Sequence, residues 1–408
     1  MPRLASRTND FVTFQVVELF KEAQALQAAG KDIISMGIGE PDFTAPPQVL
    51  EAMERAASAG FSGYAPPAGL SALREAIAKF YEIKFDAKIN PARVIVTSGA
   101  SGALSLACTA LINQGGEVLM PDSSYPANSN FILAAGGVPR LVPATAAQRF
   151  QLSAQGVREH WNPATQGVLI ASPSNPTGTS IDDAELTQLL AKVRQRQSFT
   201  IMDEIYLGLS YESDPRSALT LDDRLVVINS FSKYFHMTGW RLGWMIVPEH
   251  MIAPVEKMAA SLAICAPTLA QHAALACFTP NAMDIFEQRR LAFKQPRDYL
   301  LPEFERLGIP VPVKPDGAFY MQTAWTVCKK PWRASNACSK SCSGLAQDEL
   351  NRRAPTPPQT PAPNGGALPE LSRHSPRHPD PLRPHNRPSP RSRNRAVKYN
   401  LSRSLHPL

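Results

Sequence analysis

The chain has 408 residues, 44% of them hydrophobic, an ordinary composition for a globular protein large enough for more than one domain. Its formal net charge of +7 is unevenly distributed. From residue 351 onward, eleven Lys and Arg face Glu370 and Asp380, so the first 350 residues carry a net charge of −2. With no basic recognition helix either, the sequence predicts no nucleic-acid partner.

Targeting and metal signals are also missing from the sequence. Its longest apolar runs are shorter than the roughly 18 residues of a membrane span, and MPRLASRTND has no apolar segment after its basic residues. The six cysteines show no paired spacing typical of zinc ligands, and nothing indicates a secreted, disulfide-bonded chain. We therefore predict a cytoplasmic protein with no metal site and no membrane contact.

Helical and strand patterns alternate along most of the chain. Residues 12–29 have helical apolar spacing and end at Gly30, and residues 47–58 and 69–84 predict two more helices. The later segments RVIVT, EVLMP, GVLIAS, FTIMD and LVVINS predict strands, with helices in SGALSLACTAL and DAELTQLLAKVRQRQ. This alternation predicts an α/β fold with a mostly parallel central sheet, helices on both faces, and functional loops at the carboxyl ends of the strands.

The pattern changes in the last quarter of the chain. A long helical segment is expected in MDIFEQRRLAFKQPRDYLLPEFERLG, bent or interrupted near Pro296. VPVKPDGAFYMQT then predicts a hairpin that opens a second, smaller α/β domain. From about Cys328 the periodicity is lost, and after residue 351 Pro and Arg dominate, which predicts disorder for residues 328–408. A break inside a domain favours translation in a shifted reading frame; a natural disordered extension is the alternative.

Polar residues follow several of the predicted strands. SGASG, which begins at Ser98, joins a strand to a helix, where backbone N–H groups suit a phosphate. SNPTG places Asn175 before a proline, and DEIY places Asp203 at the end of an apolar strand with Tyr206 three residues later. Each alone has a plain structural explanation: a tight turn, a turn asparagine or a helix cap.

The segment SFSKYFHMTGWRLGW is the most informative. Lys233 lies among hydroxyl and aromatic side chains, eight residues before Arg241, in an otherwise apolar stretch. A surface lysine needs no such setting, whereas a lysine that forms a covalent imine does. Together with GIGEPDF, NPTG and DEIY, in order and spacing, this segment resembles the fold-type I pyridoxal-phosphate-dependent aminotransferases of class I/II, the aspartate aminotransferase-like family. The resemblance covers roughly residues 10–325.

The resemblance implies a role for each matching residue. Lys233 would bind pyridoxal 5′-phosphate covalently and move protons as general acid and base. Asp203 would keep the pyridine nitrogen protonated, and Asn175 and Tyr206 would donate to the ring's phenolic oxygen. Tyr125 would stack on the ring face. Lys233, Asp203 and Tyr206 are thus the implied catalytic residues.

The same resemblance assigns the phosphate and substrate contacts. The implied phosphate-binding residues are Gly99, Ala100, Ser101, Ser230 and Arg241. Tyr64 matches a phosphate contact donated by the other subunit, which implies a homodimer with shared active sites. Gly39 and Asn175 match contacts to the substrate. Ser232 and His236 flank the lysine and are expected mainly to support it.

The resemblance also divides the chain. It implies an N-terminal arm with the start of the small domain (1–45), a large cofactor-binding domain (46–285), a portion of the small domain (286–327) and an atypical tail (328–408). In this family an arginine after DGAFY binds the substrate carboxylate. We find no convincing equivalent in the tail, so we expect poor turnover.

The predicted activity is transfer of an amino group between an amino acid and a 2-oxo acid. One alternative keeps the fold and cofactor but carries out β-elimination or another lyase reaction. A second is a defective or non-catalytic cofactor-binding relative whose basic tail contacts anionic partners. The amino donor is left open, because the residues that select its side chain cannot be placed from the sequence.

Overall fold

The structure is a computed structural model that describes residues 2–11, 15–33, 39–212 and 214–323. The predicted disordered tail, the break interpreted as a frame shift and the missing carboxylate-binding arginine lie outside the described residues. The domain boundaries stay predictions. No helix in the described part of the chain is both long and apolar enough to cross a membrane.

Seven strands form one sheet. They are β1 (Val94–Thr97), β2 (Glu117–Pro121), β3 (Val138–Val142), β4 (Thr165–Ala171), β5 (Phe199–Asp203), β6 (Val226–Ser230) and β7 (Gly243–Ile246). Their order is β1-β7-β6-β5-β4-β2-β3, with β7 antiparallel to both neighbours and every other pair parallel. The predicted α/β fold with a mostly parallel sheet is confirmed.

Helices cover both faces of this sheet. Those described are α1 (Gln15–Ala28), α2 (Pro47–Ser58), α3 (Ser71–Phe85), α4 (Gly99–Leu111), α5 (Ala127–Ala134), α6 (Ala154–His160), α7 (Asp183–Gln195), α8 (Ile252–Ala263), α9 (Thr268–Ala274) and α10 (Pro280–Arg306). The predictions located α1 to α4, α7 and α10. They did not include α5, α6, α8, α9, β3 or β7.

Side chains alternate between the two faces of the sheet, so every strand except the edge strand β3 contributes to two hydrophobic cores. In β1, Val94 and Val96 belong to one core and Ile95 to the other. The first core includes residues of α2, α3, α7, α9 and α10, and the second includes residues of α4, α5 and α8. Burial on both faces explains why these strands are almost continuously apolar.

α10 is a single helix of 27 residues, so the interruption considered near Pro296 is not found. An internal proline removes one backbone hydrogen bond. The neighbouring Arg297 is fixed by tertiary contacts: its Nη1 donates to Pro315 O at 2.6 Å and lies 2.6 Å from Glu212 Oε1. The helix thus continues through Pro296 in a part of the chain that is tied to neighbouring segments.

The hairpin predicted in VPVKPDGAFYMQT is wrong within the described residues. No strand forms between residues 311 and 323; an isolated bridge joins Gly317 to Ser210. The backbone N–H groups of Asp316 and Gly317 donate to Gly178 O, both at 3.0 Å. The segment therefore satisfies its backbone against neighbouring loops rather than against itself.

A buried glutamate fixes the carboxyl end of β5. Glu204 is fully buried, and its carboxylate accepts hydrogen bonds from Ala218 N at 2.8 Å, Ser217 Oγ at 2.9 Å and Tyr81 Oη at 3.2 Å. Asn229 Nδ2 in β6 donates to Tyr81 Oη at 3.1 Å. This network joins β5, β6 and α3. Burial raises the pKa of the Glu204 carboxyl to about 7, although the hydrogen bonds oppose the shift.

We predict that Glu204 makes the protein less stable as the pH rises. The folded chain binds this proton more tightly than the unfolded chain, whose glutamate titrates near 4.5. Its contribution is fully present below about pH 4.5 and is lost as the pH rises through about 7, a change of about 3 kcal/mol in the free energy of unfolding. In Glu204→Gln that part of the pH dependence should disappear.

Urea unfolding at about pH 5 and about pH 8 measures this difference. Glu75→Gln, which changes an exposed glutamate on the same helix as Tyr81, is the matched control and should behave like the wild type. If Glu204→Gln keeps the wild-type pH dependence, the assignment of this titration to Glu204 is wrong.

Candidate active site

A cavity of about 420 Å³ opens where the parallel strands end. Because β1 and β6 are both antiparallel to β7, they point the same way as β2, β4 and β5, and their carboxyl ends meet at one edge. The predicted site residues that line the cavity are Gly39, Ala100, Ser101, Tyr125, Asn175, Asp203, Tyr206, Lys233 and Arg241. The structure thus brings together nine of the twelve residues named from the sequence.

Lys233 follows β6 and reaches into this cavity. Its Nζ donates a hydrogen bond to Gly39 O at 2.5 Å. Burial is the main reason that the pKa of its amine falls to about 8, and the charge of Arg241 lowers it further, whereas Glu40 raises it. A large fraction of this amine is therefore neutral at mildly alkaline pH, which is the form that attacks a carbonyl carbon.

Asp203 closes β5 and faces the same cavity. Its side chain is 5% exposed, and its Oδ1 accepts a hydrogen bond from Ile205 N at 3.0 Å. Burial raises the pKa of its carboxyl to about 6, while that hydrogen bond and the charge of Lys233 oppose the shift. Above about pH 6 the site thus holds a poorly hydrated negative charge, which would stabilise a cationic group placed beside it.

Two polar groups predicted as donors lie together. Asn175 Nδ2 donates to Tyr320 Oη at 3.2 Å, and the hydroxyl of Tyr206 lies 2.7 Å from the same oxygen. Burial raises the pKa of Tyr206 well above its usual range, so its hydroxyl stays protonated and can donate. Tyr320 was not among the predicted site residues. Its motif, DGAFY, is visible in the sequence, but its position depends on how that segment docks.

The start of α4 and Arg241 form a candidate anion site. The first N–H groups of a helix lack partners within it and point outward, and the helix dipole favours negative charge there. A Cβ on Gly99, whose φ is +74°, would lie 2.4 Å from Arg241 Nη2, so the guanidinium approaches this closely because residue 99 has no side chain. Within the described ranges no carboxylate pairs with Arg241. This arrangement suits a phosphate group.

Of the two serines before the lysine, Ser232 lines the cavity and Ser230 lies behind it. Their hydroxyl oxygens are 2.9 Å apart, and Ser230 Oγ is also 3.0 Å from Leu242 O. Ser232 Oγ lies 3.5 Å from Arg241 Nη1. Ser232, which was expected mainly to support the lysine, thus lines the cavity, and the phosphate role of Ser230 stays a prediction.

The remaining predicted residues lie in different settings. Tyr64 is 82% exposed and does not line the cavity, so its role stays a prediction that requires a second subunit. His236 is buried among aromatic rings such as Phe43 and Phe286 and does not line the cavity, which fits its expected supporting role.

The pKa of Lys233 should respond in opposite directions to two charge changes. Glu40→Gln removes a negative charge that favours the ammonium form, so it should lower this pKa below about 8. Arg241→Gln removes a positive charge and should raise it. Acetic anhydride labelling of cofactor-free protein across pH, with the Lys233 peptide quantified by mass spectrometry, measures both shifts.

Glu54→Gln, at an exposed position on α2, is the matched control and should leave the Lys233 titration unchanged. Shifts of the same sign in Glu40→Gln and Arg241→Gln would contradict the electrostatic account.

Comparison with known proteins agrees with this geometry. Residues 31–365 match the aminotransferase class I and II family, a match that extends past residue 325. The chain is 35% identical over 310 residues to a valine–pyruvate aminotransferase from Mycobacterium tuberculosis, covering 76% of this chain and 80% of that protein. It is 34% identical over 322 residues to an aspartate aminotransferase from Thermotoga maritima, covering 78% and 84%.

Solved structures agree as well. The aspartate aminotransferase from Thermus thermophilus with maleate superposes with a TM-score of 0.75 at 31% identity, over 79% of this chain and 85% of that one. An aminotransferase from Mycobacterium tuberculosis superposes with a TM-score of 0.76 at 34% identity, over 79% and 84%. Enzymes of the aspartate aminotransferase type depend on pyridoxal phosphate. The chain therefore belongs to the class I and II aminotransferases and is an enzyme that transfers amino groups.

Proposed function

We propose that this chain transfers an amino group between an amino acid and a 2-oxo acid with pyridoxal phosphate held in the cavity that contains Lys233. The observation that carries this proposal is the pairing of Lys233, whose pKa is lowered to about 8, with the buried carboxylate of Asp203 in one cavity. An anion site formed by the start of α4 and Arg241 opens into the same cavity.

The chemical groups in the cavity fit the cofactor. A partly neutral amine at Lys233 suits an aldehyde, and the carboxylate of Asp203 suits a protonated ring nitrogen. The N–H groups of α4 and the guanidinium of Arg241 suit a phosphate. Asn175, which donates to the phenolic oxygen of Tyr320 in this structure, and Tyr206, whose hydroxyl is hydrogen-bonded to the same oxygen, suit the phenolic oxygen of the ring.

When bound, pyridoxal phosphate supplies an aldehyde that takes up the amino group and a ring that withdraws electrons from the substrate's α-carbon. Lys233 Nζ would hold the cofactor and, when neutral, accept and return the α-proton of the substrate. Asp203, ionised above about pH 6, would keep a proton on the ring nitrogen. Tyr206 stays protonated because burial raises its pKa, so it would orient the ring by donating a hydrogen bond.

The proposal names substrate classes, not a single donor. The curated relatives are named for different substrates: valine with pyruvate in one case, and aspartate in others. They share transfer of an amino group, which supports an amino acid and a 2-oxo acid as the two substrates of this chain.

Trapping at Lys233 tests the proposed function. After incubation of the wild type with pyridoxal phosphate, borohydride should attach the cofactor to the Lys233 peptide, and Lys233→Ala should lose the adduct. Lys257→Ala, which changes an exposed lysine on α8, is the matched control and should keep it. The same adduct at another residue in Lys233→Ala would remove Lys233 from the proposal.

An amino donor should then convert the bound cofactor of the wild type to pyridoxamine phosphate, with release of a 2-oxo acid. Release of ammonia and a 2-oxo acid without pyridoxamine phosphate would support the lyase alternative instead.

We infer that the active form is a homodimer. Tyr64 is 82% exposed in the single chain and lies outside its cavity, which supports the expectation that its hydroxyl serves the phosphate site of a second copy. A hydrogen bond from the Tyr64 hydroxyl to a charged phosphate would stabilise cofactor binding more than a hydrogen bond between neutral groups.

The cytoplasmic location and the absence of nucleic-acid and membrane partners remain predictions from the sequence.

Mixed dimers test this sharing. Tyr64→Phe alone should weaken pyridoxal phosphate binding by about 10- to 100-fold, since a charge-assisted hydrogen bond is lost. A heterodimer of Tyr64→Phe with Lys233→Ala should contain one intact site, with Lys233 from one chain and Tyr64 from the other. Titration of purified heterodimers should find one site of wild-type affinity per dimer. Its absence from proven heterodimers would contradict shared sites.

A further inference from the structure

The hydroxyl of Tyr320 lies beside the two side chains of the cavity that are proposed to donate hydrogen bonds to the phenolic oxygen of the cofactor. Asn175 Nδ2 donates to Tyr320 Oη at 3.2 Å, and Tyr206 Oη lies 2.7 Å from it. These are the two groups that the proposed function assigns to the phenolic oxygen of pyridoxal phosphate. The side chain of Tyr320 is itself a phenol, so its oxygen can pair with the same two residues as the phenolic oxygen of the cofactor. Two phenolic oxygens cannot occupy one position.

We propose that Tyr320 occupies the cofactor's phenolic-oxygen position in the cofactor-free protein and competes with pyridoxal phosphate for it. This inference rests on the proposed function, because the identity of the competing ligand comes from there. Tyr320 is then a determinant of cofactor affinity that acts by being displaced rather than by touching the bound cofactor.

The hydroxyl of Tyr320 pairs with a buried residue, Tyr206, and with the half-buried Asn175. Tyr206 is 4% exposed, and burial of an unpaired hydroxyl costs free energy. Tyr320 is partly buried, and its ring lies edge-on to that of Tyr206, with centroids 5.5 Å apart. The hydroxyl of Tyr320 thus pairs with these polar groups when no cofactor is bound. A ligand that displaces it must bind the same groups more favourably than Tyr320 does.

The segment before Tyr320 is anchored to the loops that carry the two donors. Asp316 N and Gly317 N donate to Gly178 O in the loop that follows Asn175, and Ala318 N donates to Leu209 O at 3.1 Å in the loop that follows Tyr206. Tyr211 Oη also donates to Ala318 O. In the described part of this segment the backbone hydrogen bonds end at Ala318, and the carbonyl of Tyr320 packs against Gly178. Displacement of the Tyr320 hydroxyl would therefore come from rotation of its side chain while the backbone stays in place.

Gly39 makes room for this occupant. A Cβ at position 39 would lie 1.8 Å from Tyr320 Oη, closer than any real contact, so the hydroxyl fits only because residue 39 is glycine. The carbonyl of the same glycine accepts the hydrogen bond from Lys233 Nζ at 2.5 Å. Tyr320, Gly39 and Lys233 thus form one contiguous arrangement that fills the space beside the amine in the cofactor-free state.

Competition of this kind lowers apparent affinity by the fraction of molecules in which Tyr320 has left the position. Tyr320→Phe keeps the ring and removes the hydroxyl together with its hydrogen bonds. Since each such bond contributes a modest net stabilisation, the variant should bind pyridoxal phosphate about 5- to 50-fold more tightly than the wild type. A residue that contacts the bound cofactor through its hydroxyl would give the opposite result.

Equilibrium titration of the cofactor-free, full-length chain tests the proposal. Protein fluorescence is followed with two ligands: pyridoxal phosphate, and pyridoxamine phosphate, which has the phenolic oxygen and the phosphate but no aldehyde. We expect Tyr320→Phe to bind both ligands more tightly. Tyr299→Phe, at a 43% exposed tyrosine on α10, is the matched control and should match the wild type. Unchanged or weaker binding of both ligands by Tyr320→Phe overturns the proposal.

The two hypotheses fail in different ways. If neither ligand binds the wild type or Tyr320→Phe, the proposed cofactor is wrong, and the competition falls with it. If the wild type binds pyridoxal phosphate at Lys233 but Tyr320→Phe leaves the affinity unchanged, the proposed function stands and the competition alone is rejected.

Discussion

Burial of the central sheet on both faces is the constraint on which the rest of this structure depends. Strands such as β1 and β6 are apolar on both sides, because α-helices cover each face and the alternating side chains enter two separate cores. The polar side chains that line the cavity are found where the strands end. Since six of the seven strands point the same way, the polar ends of β1, β2, β4, β5 and β6 meet at one edge and line a single cavity.

The same burial sets the chemistry of that cavity, and it acts on opposite charges in opposite directions. Removal from water disfavours the charged form of every group, so it lowers the pKa of Lys233 to about 8 and raises that of Asp203 to about 6. A lysine becomes partly neutral and a carboxylate stays ionised above about pH 6. The neutral amine of Lys233 and the ionised carboxylate of Asp203 are the protonation states that aminotransferase chemistry uses near neutral or mildly alkaline pH.

Glycines and a tyrosine decide how the cavity is filled. Gly99 lets the guanidinium of Arg241 approach the start of α4, and Gly39 lets the hydroxyl of Tyr320 reach Asn175 and Tyr206. Close approach of a side chain is what Gly39 allows, whereas Gly99 combines such an approach with a positive φ of +74°. The side chains of the cavity therefore already make hydrogen bonds to one another, and under the proposed competition a bound cofactor would replace Tyr320 as a partner of Asn175 and Tyr206.

The sequence by itself determined the family, the α/β class and most of the residues around the cavity. Strand periodicity and the spacing of Lys233 and Arg241 are local features, and the parallel arrangement brings the strand ends together without further information. Tertiary structure alone decided the antiparallel course of β7, the position of Ser232 in front of Ser230, and the docking of the segment around Gly317. That segment has strand-like residues, yet its backbone groups bond to the loops at Gly178 and Leu209. Partners so distant along the chain leave no trace in local periodicity, so Tyr320 in the cavity could be found only in three dimensions.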